Sequence, residues 1–155
     1  MNIFALSNDA VEAAKFHNNS HVSKMCLETA QLLCTNLSKL GIETPYLPCH
    51  QKHPCTLWAG ETRSNFIWLC SLGINLCMEY TYRYEKVHAS QKVIMFALHN
   101  SIHIPDGDLT PFAQAMPDEY KDADPIKAYR NYYIHGKSHL AKWTKREIPY
   151  WFNAA

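Results

Sequence analysis

Residues 20–39 read SHVSKMCLETAQLLCTNLSK, and this stretch decides the fold class of the chain. Apolar and small side chains recur in it at the i, i+3, i+4, i+7 spacing of one helix face, namely Val22, Met25, Cys26, Thr29, Ala30 and Leu33. Asn18-Asn19-Ser20 offers N-cap chemistry before it, and Gly41 is a natural stop after it. The spacing therefore predicts a helix over about 21–39.

The rest of the chain extends this helical pattern. Similar reasoning predicts helices over about 10–17, 60–85, 90–99, 125–136 and 138–147, with Pro125 in the first position of its helix. Residues 2–6 are either a short strand or a buried extended arm. The proline-rich stretches 42–55 and 100–124 are predicted loops, the second a candidate flap or loop insertion. The predicted fold is mainly α: a single compact helical domain over 1–155, with a possible short N-terminal strand and long irregular loops.

Composition restricts the function. The 155 residues are 47% hydrophobic and 19% charged, which is typical of a globular chain. A net charge of +1 gives no overall attraction to nucleic acid or to an anionic membrane, so any basic site must be local. No apolar run reaches membrane-spanning length and no signal peptide is visible, so we expect no membrane partner, a cytoplasmic location and reduced thiols.

A polar stripe runs along the helix at 21–39. His21, Lys24 and Glu28 recur with Gln31 at i, i+3, i+7 and i+10, and His17 extends the stripe if the helix is unbroken. One interpretation is a solvated face with an ordinary ion pair. The other is the wall of a site, in which histidine transfers protons, Lys24 neutralises phosphate and Glu28 orients the histidine or the lysine.

Residues 49–55, CHQKHPC, place four candidate metal ligands within seven residues. The spacing lacks the C-x-x-C pair of common zinc sites. Three interpretations stay open: a structural zinc site, catalytic or phosphate-binding roles for His50 and His53, or surface histidines in a loop.

Two further groups of residues are candidates. Glu79 and Arg83 form an i,i+4 pair, either structural or part of a site. The C-terminal segment interleaves cations with aromatic rings, as phosphate contact and base stacking require. The candidate substrate-binding residues are Lys24, Trp58, Arg83, Arg130, Asn131, Tyr132, Lys142 and Trp143.

Common nucleotide-cofactor and hydrolase motifs are absent from the sequence. It contains no G-x-x-x-x-G-K-[ST], G-x-G-x-x-G, G-x-S-x-G or H-E-x-x-H. The cofactor is therefore left open, with a divalent metal as one alternative.

Certain stretches of the sequence, which together span nearly the whole chain, form a recognisable set: Asn2-Ile3-Phe4, residues 17–31, 50–59, 79–84, 109–113, 116–120, 129–133, 141–143 and 151–152. In these stretches the chain resembles a small family of helical proteins encoded by tailed bacteriophages. The family usually has Asp-Lys where this chain has Asn19-Ser20. The layout is also similar to that of the phage pyrimidine-dimer glycosylases, whose N-terminal amine attacks a sugar. Here Asn2 follows Met1, a pair that usually leaves the methionine in place.

The resemblance implies a phage protein that works in the host cytoplasm. The leading functional prediction is an enzyme acting on a nucleotide or nucleic-acid phosphodiester, possible substrates including a nucleotide signal of host defence. Its catalytic candidates are His17, His21, His50, His53 and Glu28, either as acid and base or as metal ligands. The alternatives are a non-catalytic protein that sequesters a nucleotide or inhibits a host protein, and a DNA glycosylase or lyase. A homo-oligomer is also compatible with the exposed aromatic residues.

Overall fold

The computed structural model describes residues 1–153, which are mainly α-helical and contain no strand. The α-helices are α1 (Ala10–Phe16), α2 (Asn19–Lys39), α3 (Pro54–Glu61), α4 (Arg63–Tyr84), α5 (Gln91–His99), α6 (Pro125–Asn131) and α7 (Tyr150–Asn153). Short 3-10 turns lie at Ser101–His103, Asp118–Tyr120 and Ser138–Leu140, and a π-helical turn follows α6 at Tyr132–Gly136. No helix of the described chain is long and apolar enough to cross a membrane.

Helices α2 and α4 form the centre of the core. The Asn18 side chain accepts from His21 N–H at 2.9 Å and caps the start of α2. The two helices approach closely at Gly73, where an added Cβ would lie 2.7 Å from Thr29 Cγ2 and 2.9 Å from Ile94 Cδ1. A larger side chain at position 73 would therefore force α2 and α5 away from α4.

The predicted long helix over 60–85 is wrong in its first part. The chain is extended at Thr62, whose φ is −137°, and the Thr62 side chain accepts from Asn65 N–H as the N-cap of α4. A separate helix, α3, precedes this break, with Pro54 in its first turn and His53 as its N-cap. The predicted loop over 42–55 consequently ends at His53.

The N-terminal residues form a buried arm and not a strand. Residues 2–7 are all buried, and Phe4 has a φ of 38°, which an L-residue rarely adopts. The Asn2 amide oxygen accepts from the N–H groups of Ile3 and Phe4, while its nitrogen donates to Ala115 O at 2.7 Å. The Asn2 side chain thus supplies hydrogen-bond partners for the backbone of the arm, which in a strand would come from a neighbouring strand.

The predicted helix over 138–147 is also wrong, since only the turn Ser138–Leu140 forms. Tertiary hydrogen bonds replace the helical ones. The Asn19 side chain accepts from Thr144 N–H at 2.9 Å and donates to Thr144 Oγ1 at 2.7 Å, and Trp143 Nε1 donates to Phe16 O. The C-terminal segment is therefore held against the corner between α1 and α2. The predicted helix over 125–136 is present as α6 and its π-helical turn.

Candidate functional site

A polar pocket of about 450 Å³ opens beside the N-terminal arm. The arm, α2, the start of α3, the loop before α6 and the π-helical turn all contribute to its wall. Five predicted site residues line it: His21, Lys24, Glu28, His53 and Tyr132. Three residues of the polar stripe of α2, His21, Lys24 and Glu28, thus lie in the wall of one pocket, whereas Gln31 does not line it.

The α-amino group of Met1 lies in this pocket beside a carboxylate. Its nitrogen is 3.5 Å from Glu28 Oε2, while Lys24 Nζ is 3.5 Å from Glu28 Oε1. Glu28 is 8% exposed. Its Oε2 atom has no hydrogen-bond partner within the described part of the chain. Since buried carboxylate oxygens are normally hydrogen-bonded, this atom is available to a ligand.

His21 is held as a neutral ring. Its Nδ1 lies 2.7 Å from Tyr133 Oη, and its ring stacks on Phe4 with centroids 4.2 Å apart. Burial, followed by the nearby His17 and Lys137, lowers the pKa of His21 to about 3. At neutral pH this imidazole is a hydrogen-bonding group and a packing surface, and it carries no charge.

His17, a predicted catalytic residue, does not line the pocket. It ends α1, is fully buried, and its Nδ1 donates to Ala13 O at 2.7 Å. Burial lowers its pKa to about 4. Because a break separates α1 from α2, His17 turns into the core behind Phe4 instead of extending the α2 stripe.

The two loop histidines have different surroundings. His53 is half-buried at the pocket, where its Nδ1 accepts from Cys55 N–H at 3.1 Å. Burial, and then the Met1 amine, lowers the pKa of His53. His50 is exposed in the loop, with a φ of 46°, and lies outside the pocket. The zinc interpretation of residues 49–55 is not supported, since among residues 1–153 the ligand atoms of Cys49, His50, His53 and Cys55 form no such cluster.

Arg83 serves the fold and not the pocket. Its Nε donates to Glu79 Oε2 at 3.0 Å, its Nη1 to His17 O at 2.8 Å and its Nη2 to Lys15 O at 3.1 Å. Arg146 also binds this carboxylate, donating to the two oxygens of Glu79 at 2.6 Å and 3.1 Å. The predicted Glu79–Arg83 pair is therefore structural, and it fastens α4 to the corner between α1 and α2.

Most of the other predicted substrate-binding residues also lie elsewhere. Arg130 donates to Leu6 O at 2.9 Å and lies over the Trp151 ring. Trp58 packs on Trp68 and Phe112. Four predicted residues do not line the pocket. Trp58 and Trp143 are buried, Asn131 is half-buried and Lys142 is exposed.

Several pocket residues are not among the predicted site residues. They are the Met1 amine, Asn2, Gln114, Lys121 and Lys137, of which Lys137 belongs to the C-terminal segment of interleaved cations and aromatic rings. Tyr132, which was predicted, stacks on Tyr120 with centroids 5.2 Å apart and has Lys137 Nζ 5.1 Å from its ring centre. The signal for the amine was the layout shared with the pyrimidine-dimer glycosylases; the two lysines lie in loops and follow no periodic pattern.

Comparisons with known protein families, with curated proteins and with solved structures find no match to this chain. The resemblance to phage-encoded helical proteins, and the host cytoplasm that it implies, therefore stay predictions. The pocket itself is what supports a function.

Proposed function

We propose that this protein is a nucleic-acid lyase of the glycosylase type, which forms an imine between the Met1 α-amine and a sugar carbon C1′. The observation that carries the proposal is the amine 3.5 Å from the buried Oε2 of Glu28, an oxygen that has no hydrogen-bond partner in the described part of the chain. Amine nucleophiles form covalent imines with carbonyl carbons, and a neighbouring carboxylate supplies proton transfer.

Charge around the pocket supports an anionic substrate. Lys24, Lys121 and Lys137 line it, against the single carboxylate of Glu28. Lysines at such positions neutralise backbone phosphates of a nucleic acid. Tyr132 gives an aromatic face in the same wall, on which a base or an exposed sugar can pack. A target sugar must leave the duplex to reach such a recess, as in other enzymes that act on bases.

The imine forms through proton transfers between the amine, Glu28 and the sugar. The neutral amine attacks C1′ of an abasic or damaged nucleotide, the C1′–O or C1′–N bond breaks, and the hydroxyl or base leaves with the proton that Glu28 passes to it from the amine. The C1′–O4′ ring bond then breaks, O4′ takes a proton from water, and the carboxylate of Glu28 stabilises the iminium. Removal of a C2′ proton then breaks the C3′–O bond and expels the 3′ phosphate. Water finally hydrolyses the imine and restores the amine.

The proposed imine chemistry has better support than a histidine acid–base pair. With their pKa values lowered to about 4 and about 3, His17 and His21 both stay neutral at pH 7, and His17 does not reach the pocket. General acid catalysis needs a group that is protonated near the working pH. The phosphodiesterase prediction would therefore depend on His53 and the lysines alone.

The experiment is borohydride trapping on a duplex oligonucleotide with one abasic site. Imine formation predicts a covalent protein–DNA species after reduction, with the adduct mapped to the Met1 amine by peptide mass spectrometry. Intact mass, measured beforehand, tests whether Met1 is the first residue of the purified chain. Absence of any adduct, or an adduct on a lysine side chain, would refute the proposal. Tight binding with the DNA recovered intact would instead favour the sequestering alternative.

A further inference from the structure

A second polar cluster lies where α2, α4 and the loop after α4 meet. Cys26 of α2, Cys77 of α4 and His88 of the loop place one ligand atom each within 4.8 Å of one another. Both cysteines are fully buried, and His88 is half-buried. None of the three lines the pocket that holds the Met1 amine, so the cluster is independent of the proposed lyase.

We propose that Cys26, Cys77 and His88 bind a zinc ion. Two thiolates and one imidazole are a ligand set that zinc prefers, and soft sulfur ligands disfavour magnesium and calcium. On binding, each thiol releases one proton to solvent, and the two thiolates cancel the charge of Zn²⁺. A neutral complex suits a buried site, where an uncompensated charge would be costly.

His88 is a neutral imidazole in the metal-free chain. Ser90 N–H donates to its Nδ1 at 3.1 Å, so Nδ1 is unprotonated and the ring proton is on Nε2. A zinc ion binds either at Nδ1, in place of the Ser90 N–H, or at Nε2 after the ring proton has moved to Nδ1. Neutral imidazole is the form that binds zinc. The ring of Tyr80 packs edge-on against the His88 ring, with centroids 4.9 Å apart, and further limits its rotation.

The same histidine gives the ion a route from solvent. His88 lines a surface pocket of about 510 Å³ together with Val87 and Met95. The two thiols are buried and do not line this pocket, so His88 is the ligand of the three that is nearest to solvent. Three protein ligands leave one position of a tetrahedral ion free, and water from this pocket can fill it.

The cluster also joins parts of the chain that are distant in sequence. Cys26 and Cys77 belong to the two central helices, while His88 precedes α5. An ion bound by all three residues would connect α2 to α4 and to the loop between α4 and α5. Because a preformed site is absent from the unfolded chain, zinc binding is expected to raise the melting temperature.

The test uses the full chain, purified under reducing conditions and incubated with Zn²⁺ or Co²⁺ before removal of free metal. We expect one equivalent of metal per chain, a higher melting temperature, and a cobalt spectrum with thiolate-to-metal charge-transfer bands. Cys77→Ser and His88→Gln should each lose most of the bound metal. Cys70→Ser is the matched control, since Cys70 is a buried cysteine of α4 outside the cluster.

If a variant fails to fold, the cobalt spectrum of the wild-type chain still tests the proposal, because it needs no substitution. No retained metal and no charge-transfer bands in the wild-type chain would overturn the proposal. A disulfide between Cys26 and Cys77 under the same reducing conditions, detected as the loss of two hydrogen atoms in intact mass, would overturn it as well. Equal metal retention by Cys77→Ser, His88→Gln and Cys70→Ser would place the ion elsewhere.

Discussion

The Met1 nitrogen lies 3.5 Å from Glu28 Oε2, and that oxygen is buried without a hydrogen-bond partner in the described chain. We predict that Glu28→Gln lowers the rate of strand cleavage at an abasic site by about 10²–10⁴-fold, because the amide cannot accept a proton. Single-turnover cleavage of a labelled duplex measures this. Glu43→Gln, at an exposed position outside the pocket, is the control and should cleave at the wild-type rate. Unchanged cleavage by Glu28→Gln would remove Glu28 from the mechanism.

The position of the amine should matter as much as its chemistry. A glycine placed before Met1 moves the amine by up to one residue length, roughly 3.8 Å, away from Glu28. We predict a loss of borohydride trapping of about 100-fold or more, since misplaced reacting groups forfeit the advantage of proximity. Affinity for the abasic duplex, measured by fluorescence anisotropy, should change little because the lysines remain. Full trapping by the extended chain would mean that another amine reacts.

The lysines of the pocket should carry a measurable share of DNA binding. Lys121→Ala and Lys137→Ala are each predicted to weaken binding and to reduce the slope of log affinity against log salt by about one. Lys142→Ala tests the sequence prediction directly, since Lys142 is exposed and lies outside the pocket. Its salt slope should equal that of the wild type. An equal loss for all three variants would indicate a diffuse basic surface in place of a site.

The two buried histidines should make the fold sensitive to acid. In the folded chain the pKa of His17 is lowered to about 4 and that of His21 to about 3, whereas both protonate near pH 6.5 when unfolded. The unfolded chain therefore binds more protons below pH 6.5, and stability falls as pH drops from there toward 4. Each histidine contributes about 1.4 kcal/mol per pH unit below pH 6.5, so the pair costs about 4 kcal/mol between pH 7 and pH 5.

Urea unfolding at several pH values measures this dependence. His21→Asn should reduce the slope by about half, because one of the two buried rings no longer titrates. His103→Asn, at an exposed position, should leave the slope unchanged. A wild-type stability that is constant between pH 7 and pH 5 would contradict the assignment of both rings as neutral in the fold.

The sequence predicted the parts of the molecule that depend on local periodicity. The α2 stripe follows from residues three and four apart, and it correctly brought His21, Lys24 and Glu28 to one wall. The amine was beyond that reasoning, because its position depends on the contact between Asn2 and Ala115, 113 residues apart. The φ of 38° at Phe4, which turns the arm, has no periodic signal either.

Arg83 shows a second limit of sequence reasoning. The i,i+4 pair with Glu79 was visible, but its role depended on what the remaining guanidinium donors contact. They donate to the carbonyls of Lys15 and His17, which cap the end of α1. Whether the Arg83 guanidinium contacts the backbone of α1 or a substrate phosphate depends on the direction in which α4 packs, and the sequence does not give that direction.

Arg83→Met should destabilise the fold by about 3 kcal/mol, because removing one partner leaves buried carbonyls and part of the Glu79 charge unpaired. Arg146 still contacts both oxygens of Glu79, so the loss should grow when Arg146→Met is added. Urea unfolding measures both effects. At a temperature where Arg83→Met stays folded, borohydride trapping should equal that of the wild type. Reduced trapping by the folded variant would indicate that Arg83 contributes to substrate binding.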